Sequence, residues 1–516
     1  MKKSLYFIVG FAILIASSIV ITFYDESLEG KEEISKTTIE PEEYVEITGT
    51  PADNYAPKER DQHCGNSDAK SNHYILEFEV PTPCAQPLSI ITDSDGNIWF
   101  AQTNTGNLAM FDPVSEEFIE YQNEMWSSDR ATMMWGIFYT PDDEIWFTDE
   151  ANDFLWKFSI PEKKYSKFDF PGKKENSFPQ KIEFHNDNFL INDFTGNQIV
   201  VVSHDDLDNG RKTFSTISVP EGFFTSQASI DSDENIWFVM WKYQKEALLT
   251  KTNSVSKEIE QFSLPNNISA PNGVSVGPSG GVWIADTASS SFFKFNPENL
   301  QVIEFVTSDP PVWTFGNSSG LIKTPITRPY WNDFDSDGNM WFNQQTGNRL
   351  AVFDPVSESL IEYDIPSKNP GWADCGDLTD CGVSQVFGFT IQNEKVWFTE
   401  WVENNIGVLD TSITIPVSLD IEQETIQIKQ GDQKEIFVKV KPNTNNKIDL
   451  VLSGKTNSDL IEIKTKSEPT FISDQVIKIP VTISIDNNAH PGYYKILLGT
   501  QMQDVFISSY ATIQII

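Results

Sequence analysis

The chain has 516 residues, 39% hydrophobic and 12% aromatic, enough to bury a large core and to divide into two or three domains. Its formal charge of −38 excludes a nucleic-acid partner, which needs a basic face to release counterions from phosphates. The same charge leaves two readings open, a solubilising surface and an acidic surface that collects cations.

At the N-terminus, Lys2 and Lys3 precede an uncharged apolar stretch from Leu5 to Tyr24, and Asp25, Glu26 and Glu29 follow it. Twenty such residues suffice to cross a hydrocarbon core of roughly 30 Å as a helix. Residues 1–24 are therefore expected to be a transmembrane signal-anchor or, alternatively, a cleaved signal peptide. On the anchor reading the protein is single-pass in the cell membrane, with the bulk of the chain extracytoplasmic. Residues 25–72 are acidic and polar, with Pro41, Pro51 and Pro57 scattered through them, and read as a disordered tether.

Over 73–412 one phrase recurs seven times, each copy built on a short apolar run that is usually Trp-Phe. Its anchors are Trp99, Trp146, Leu190, Trp237, Trp283, Trp341 and Trp397, spaced by 47, 44, 47, 46, 58 and 56 residues. One aromatic anchor about every 45 residues is the signature of a β-propeller blade. Each copy has an inner segment (Pro87-Leu88-Ser89-Ile90-Ile91), a polar turn (Asp93-Ser94-Asp95-Gly96-Asn97) and the Trp strand. A third strand (Leu108-Ala109-Met110-Phe111) and a fourth (Phe118-Ile119-Glu120-Tyr121) complete it. The seventh copy lacks a fourth strand after Ile406-Gly407-Val408-Leu409, while an orphan strand, Tyr74 to Pro81, precedes the first copy. The expected fold is all-β: a seven-bladed β-propeller closed by that N-terminal strand.

Two insertions, 307–327 with the sequon Asn317-Ser318-Ser319 and 367–383 with Cys375 and Cys381, both precede inner strands. Both are expected on one face, where binding residues concentrate. A second sequon is Asn267-Ile268-Ser269. Cys375–Cys381 and Cys64–Cys84 are the suggested disulfides, two other pairings remain open, and a Cys₄ zinc site is the alternative. Residues 413–516 contain neither Trp nor Cys and alternate in short strands such as Thr425-Ile426-Gln427-Ile428, which reads as an Ig-like β-sandwich.

The phrase Val396-Trp397-Phe398-Thr399-Glu400-Trp401, followed by Asn405-Ile406-Gly407, resembles the repeat of the virginiamycin B lyase (streptogramin lyase) family. That resemblance covers about 340 residues. It implies a seven-bladed propeller and an enzyme that opens a cyclic depsipeptide ester by elimination, with Mg²⁺ and a histidine. The positions it assigns to the two histidines hold Tyr330 and Phe387 here, and that of one acid holds Gln385; Glu400 matches the other acid. Tyrosine can exchange a proton and phenylalanine cannot, which leaves Glu400 and Tyr330 as the catalytic candidates. Of the remaining histidines, His63 and His73 lie near the tether, His204 in an insertion, His490 in the C-terminal domain, and His185 in a turn.

Three residues after each anchor stand Gln102, Asp149, Asp193, Met240, Asp286, Gln344 and Glu400. Equivalent positions in symmetric blades are expected to face one region. Asp149, Asp193, Asp286 and Glu400 are thus candidate ligands for Mg²⁺ or Ca²⁺, and Gln102, Gln344 and Asn272 candidate ligand-binding residues. A solvated acidic rim is the alternative. The Asp-Ser-Asp-Gly-Asn turns mimic the start of a calcium loop but lack its later Glu, and fit hairpins. Two functions follow: a membrane-anchored, non-catalytic protein that recognises a small molecule, surface protein or glycan, or a metal-dependent lyase or ester-cleaving enzyme using the acidic ring.

Overall fold

Each repeat opens on a turn wired by its own side chains. In the computed structural model, the Asp93 carboxylate accepts from the backbone N–H of Asp95 at 3.0 Å and of Asn97 at 2.9 Å. It also accepts from Asn97 Nδ2 at 2.9 Å and Trp99 Nε1 at 2.8 Å. Asp231 and Asp335 hold Trp237 and Trp341 in the same way, at 2.8 and 2.9 Å. Gly96, at φ 89°, supplies the left-handed residue the first turn needs. The carboxylates are spent on N–H donors, so these turns are hairpin devices.

The structure describes residues 64–516 apart from 66–67, 127–131, 172–176, 211–213, 254–257, 316–325, 374, 377, 379, 423–424, 445–447, 467 and 473–474. Among the described residues, each phrase forms the second strand of an antiparallel sheet. The first sheet runs Pro87–Thr92, Ile98–Gln102, Asn107–Asp112, Glu117–Tyr121. The fourth has its inner strand split into Phe224–Thr225 and Ser229–Ile230. In the seventh, Ile75–Glu79 lies beside Asn405–Asp410, with Ile75 opposite Leu409.

The core lies between sheets. Trp99 of the first sheet is fully buried with Phe147 and Trp156 of the second. Each such indole removes roughly 200 Å² from water, the main favourable term of the stack. Neighbouring inner strands approach to backbone contact. A Cβ on Gly136 would stand 2.2 Å from the Gln180 carbonyl, and one on Gly388 would stand 2.2 Å from that of Leu88. Side chains stitch the gaps: Thr148 Oγ1 donates to Gln180 O at 2.9 Å, Asn343 Nδ2 to Val386 O at 2.7 Å, and Thr399 Oγ1 to Leu88 O at 2.6 Å.

The C-terminal part is a four-stranded sheet (Val417–Ile421, Gln433–Pro442, Ile477–Ile485, Ile461–Lys464) with the long hairpin Gly492–Met502 and Val505–Ile515. That hairpin does not stand apart. Strand Val505–Ile515 pairs with the outer strand of the sixth sheet, Ser359–Asp364, placing Tyr363 opposite Val505. The sixth sheet thereby becomes eight-stranded.

This corrects the expected closed seven-bladed propeller followed by an Ig-like sandwich. Strand ladders run only within sheets and do not close them into a ring, and the sixth sheet is continuous with the C-terminal strands. The membrane-anchored reading is corrected as well. No helix among the described residues is long and apolar enough to cross a membrane. The segment 1–24 and most of the tether lie outside the described residues. Neither a membrane partner nor a single-pass location in the cell membrane is retained. The disulfides join Cys64 to Cys84 and Cys375 to Cys381. The sequon at Asn317 lies outside the described residues.

Candidate functional site

The column three residues past each anchor faces into its own sheet. Asp149 accepts from Thr132 Oγ1 at 2.7 Å, Asn152 Nδ2 at 2.9 Å and Trp156 Nε1 at 3.1 Å. Asp193 accepts from the Phe178 N–H at 2.7 Å and Gln198 Nε2 at 2.9 Å, and Asp286 from the Ala270 N–H at 2.6 Å. Each ties the end of the second strand to the segment entering the inner one. Burial pushes all three carboxyls up, Asp193 to about 6, against the pull of these donors. Gln102 and Gln344 reach outward instead: Gln344 Nε2 donates to Glu362 at 2.5 Å, and Gln102 Nε2 donates to Glu120. Met240, the fourth-sheet member, is buried.

Glu400 is fully buried beside Glu77 and Glu403. Burial raises its carboxyl well above the usual range, and the Glu77 carboxyl adds to the rise. Glu77 in turn accepts from Ser367 Oγ at 2.5 Å and the Lys70 N–H at 2.7 Å. These groups clamp the borrowed strand Ile75–Glu79 to the seventh sheet. The structure thus separates the four carboxylates into their own sheets. Among the described residues no group of His, Cys, Asp and Glu could hold a metal ion. The metal-dependent alternative, with Mg²⁺ or Ca²⁺ on an acidic ring, is corrected on that finding.

What converges is the next position. Past the strand end, Thr103, Glu150, Thr287, Gln345 and Trp401 meet the starts of the inner strands. Trp401 Nε1 donates to Thr103 Oγ1 at 3.1 Å, and Asn272 Nδ2 donates to Thr287 Oγ1 at 2.7 Å. Gln345 Nε2 donates to Gln385 Oε1 at 2.9 Å. Alternation along a strand explains the difference, because one residue of offset moves a side chain to the other face.

Three sheets supply an aromatic cluster there. The Trp135 ring lies 5.8 Å from Tyr330, 6.3 Å from Trp331 and 5.0 Å from Phe387, and Phe387 lies 5.8 Å from Trp401. Leu88, Met133 and Val402 complete its buried part, and Trp372, from the Cys375–Cys381 insertion, packs on it half-buried. Trp135 Nε1 donates to the buried Glu150 carboxyl. Burial pushes Glu150 up to about 8, so near neutrality it holds a proton. The same burial raises the Tyr330 hydroxyl, and the charges of Glu150 and Arg328 act on it in opposite directions. Three amides near the starts of the inner strands, Asn272, Gln345 and Gln385, are buried, and the Gln385 carbonyl accepts from the Trp401 N–H at 3.2 Å. Nearby, Lys181 Nζ lies 5.3 Å over the Trp331 ring and interacts with Glu183 and Asp333. Desolvation pushes Glu183 up to about 8 and lowers the Lys181 ammonium.

Tyr330, Phe387 and Asn272 of the expected residues thus reach the convergence, whereas Gln102, Gln344 and the four carboxylates do not. Sequence reasoning missed Trp135, Glu150, Gln345 and Trp401 as members of the site. The signal available was the pair of aromatic-Gly steps, Trp135-Gly136 and Phe387-Gly388, where inner strands touch. The histidines stand apart: His204 is buried with Nε2 3.0 Å from Glu144 and Nδ1 3.4 Å from Asp187, and His185, half-buried near Glu234, ends the strand Pro179–His185 and does not lie in the expected turn. His73 and His490 lie outside the cluster, and His63 lies outside the described residues.

The fold is of the kind seen in the virginiamycin B lyases. The model of the virginiamycin B lyase family matches residues 58–291. The selenomethionine-substituted virginiamycin B lyase from Staphylococcus aureus aligns with a TM-score of 0.51 at 18% identity, over 66% of this chain and 99% of that one. A streptogramin B lyase structure aligns with a TM-score of 0.51 at 20% identity, over 65% and 97%. A catalytically inactive variant of the Staphylococcus aureus lyase with quinupristin gives 0.51 at 17%, over 66% and 99%. The chain is similar to this family, and at these identities the likeness to the solved structures is one of fold. No curated protein sequence matches it.

Proposed function

We propose that the protein binds a neutral small molecule with an aromatic or branched apolar side and an amide-like polar edge, seated where the inner strands converge. The observation that carries this reading is the buried cluster of Trp135, Tyr330, Phe387 and Trp401, bordered by amides: the Trp401 N–H donates to the Gln385 carbonyl at 3.2 Å, and Gln345 donates to the Gln385 side chain. Large rings offer apolar area at little entropic cost, and a few fixed amides orient a polar edge. A protonated Glu150 adds a donor without adding charge, which suits a neutral ligand. A lyase of similar fold from Staphylococcus aureus has been solved with quinupristin, which supplies a probe with aromatic and amide groups. Phe387 offers no proton-transfer group where the resemblance puts a histidine, so the reading does not include ester opening.

Quinupristin is the probe. Its titration, followed by tryptophan fluorescence and by calorimetry, is expected to saturate, and Trp135→Ala is expected to weaken it at least tenfold. A flat titration with wild-type protein at millimolar probe would sink the proposal.

A further inference from the structure

The sequon Asn267-Ile268-Ser269 is not absorbed by that site. It lies in the connection between strands Ile259–Ser263 and Pro271–Val276 of the fourth and fifth sheets. Asn267 is exposed, while Ile268 is buried and pins the loop from below. The Asn267 amide points into a cleft of about 790 Å³ between the fifth sheet and the C-terminal hairpin. There Nδ2 donates to Glu304 Oε2 at 2.7 Å. Asn457 Nδ2 donates to the same oxygen, and Ser291 Oγ to Oε1 at 2.8 Å. Across the cleft stands Tyr493, 70% exposed, its hydroxyl accepting from Gln514 Nε2 at 3.0 Å.

We propose that Asn267 carries an N-linked glycan whose first sugars lie in this cleft against Tyr493, joining the fifth sheet to the C-terminal hairpin. The chemistry of the walls suits a sugar. An aromatic face takes the C–H side of a pyranose, and Gln301 and Thr512 on the lining offer groups for its hydroxyls. Ser269 stands at the position that N-glycosylation requires, and Ile268 is not proline. The co-reactant is an oligosaccharide linked to a polyprenyl pyrophosphate. Asn267 Nδ2 attacks the anomeric carbon, the C1–O bond breaks, the pyrophosphate leaves, and one amide proton is lost as the N–C1 bond forms. The amide keeps one N–H, enough to go on donating to Glu304. The two disulfides agree independently, since such bonds persist in oxidising compartments, where N-glycans are transferred.

The test uses protein purified from its native cells. Peptide mapping by mass spectrometry is expected to find a sugar mass on Asn267 that Asn267→Gln abolishes. Hydrogen exchange over 453–457 and 492–495 is expected to speed several-fold in that variant. Tyr493→Ala is expected to keep the sugar mass yet show the same faster exchange. Unmodified Asn267 in the native protein would overturn the proposal. A glycan whose loss leaves exchange unchanged would overturn its seat in the cleft.

Discussion

The first and sixth sheets are built from nearly the same words, yet one ends in solvent and the other in a second domain. Their outer strands read Phe118-Ile119-Glu120-Tyr121 and Leu360-Ile361-Glu362-Tyr363, and in both a Gln at the end of the second strand donates to the outer Glu. Phe118 is half-buried, whereas Leu360 at the same position of the sixth sheet is fully buried in a core shared with Leu497, Phe506 and Tyr510 of the C-terminal hairpin. The difference lies one strand further in. Asn107, opposite Gln102 in the first sheet, corresponds to Arg349, opposite Gln344 in the sixth. Arg349 is completely buried and donates to Asp364 at 2.6 Å, Ser308 at 2.5 Å and Gln501 at 2.8 Å. Gln501 belongs to the C-terminal hairpin and also donates to Asp364, at 2.8 Å. A common strand motif thus becomes an interface when one buried cation beside it gives the incoming strand something to satisfy.

Breaking that cation is expected to have the largest effect. Arg349→Met strands the Asp364 and Glu362 carboxyls and should cost about 3–5 kcal/mol in chemical denaturation. Asn107→Met in the first sheet should cost clearly less; equal losses would refute the assignment of docking to Arg349. Next, Leu360→Ala should cost about 2–4 kcal/mol through the cavity it leaves, against about 1 kcal/mol for Phe118→Ala at the half-buried equivalent position.

The seventh sheet sharpens the comparison, because its outer strand is borrowed and brings Glu77 against Glu400. Burial pushes Glu403 beside them up to about 7. A carboxyl whose folded pKa lies above its unfolded value favours the fold while protonated. Stability should therefore be highest below about pH 4.5 as far as these groups act, and fall as pH rises through 7, by roughly 2 kcal/mol. Glu403→Gln should flatten that slope in denaturation curves taken from pH 5 to 8, and an unchanged slope would assign it to other groups. The smallest effect is expected at the turns. Asp93→Asn and Asp335→Asn should each cost about 1 kcal/mol. Unequal losses would show that docking of the C-terminal hairpin reaches the inner edge of the sixth sheet.

The candidate site was less legible than the strands. Tyr330 and Phe387 stood out because the family resemblance puts histidines at their positions, and Asn272 because it opens an inner segment. The acidic column did not meet the expectation, since Asp149, Asp193 and Asp286 cap their own sheets. Glu150, one residue further on from Asp149, reaches the convergence, and a repeat register alone does not tell which of two neighbours turns inward. Trp135 belongs to the phrase Met133-Met134-Trp135-Gly136, which lacks the Pro that opens the inner segments at Pro87, Pro179, Pro271 and Pro329, and so escaped the alignment of repeats.

By itself the sequence determined where the second strands lie and how their hairpins close. Those features are local: an apolar run of period two, and an Asp within reach of the N–H groups and the indole that follow it. Only the tertiary structure decided that the sixth sheet runs on into the C-terminal strands, that three sheets bring Trp135, Tyr330 and Phe387 together, and that the carboxylates stay apart. Those outcomes depend on how separate sheets are staggered and on which edge is covered, through contacts between residues hundreds of positions apart. No local pattern records them.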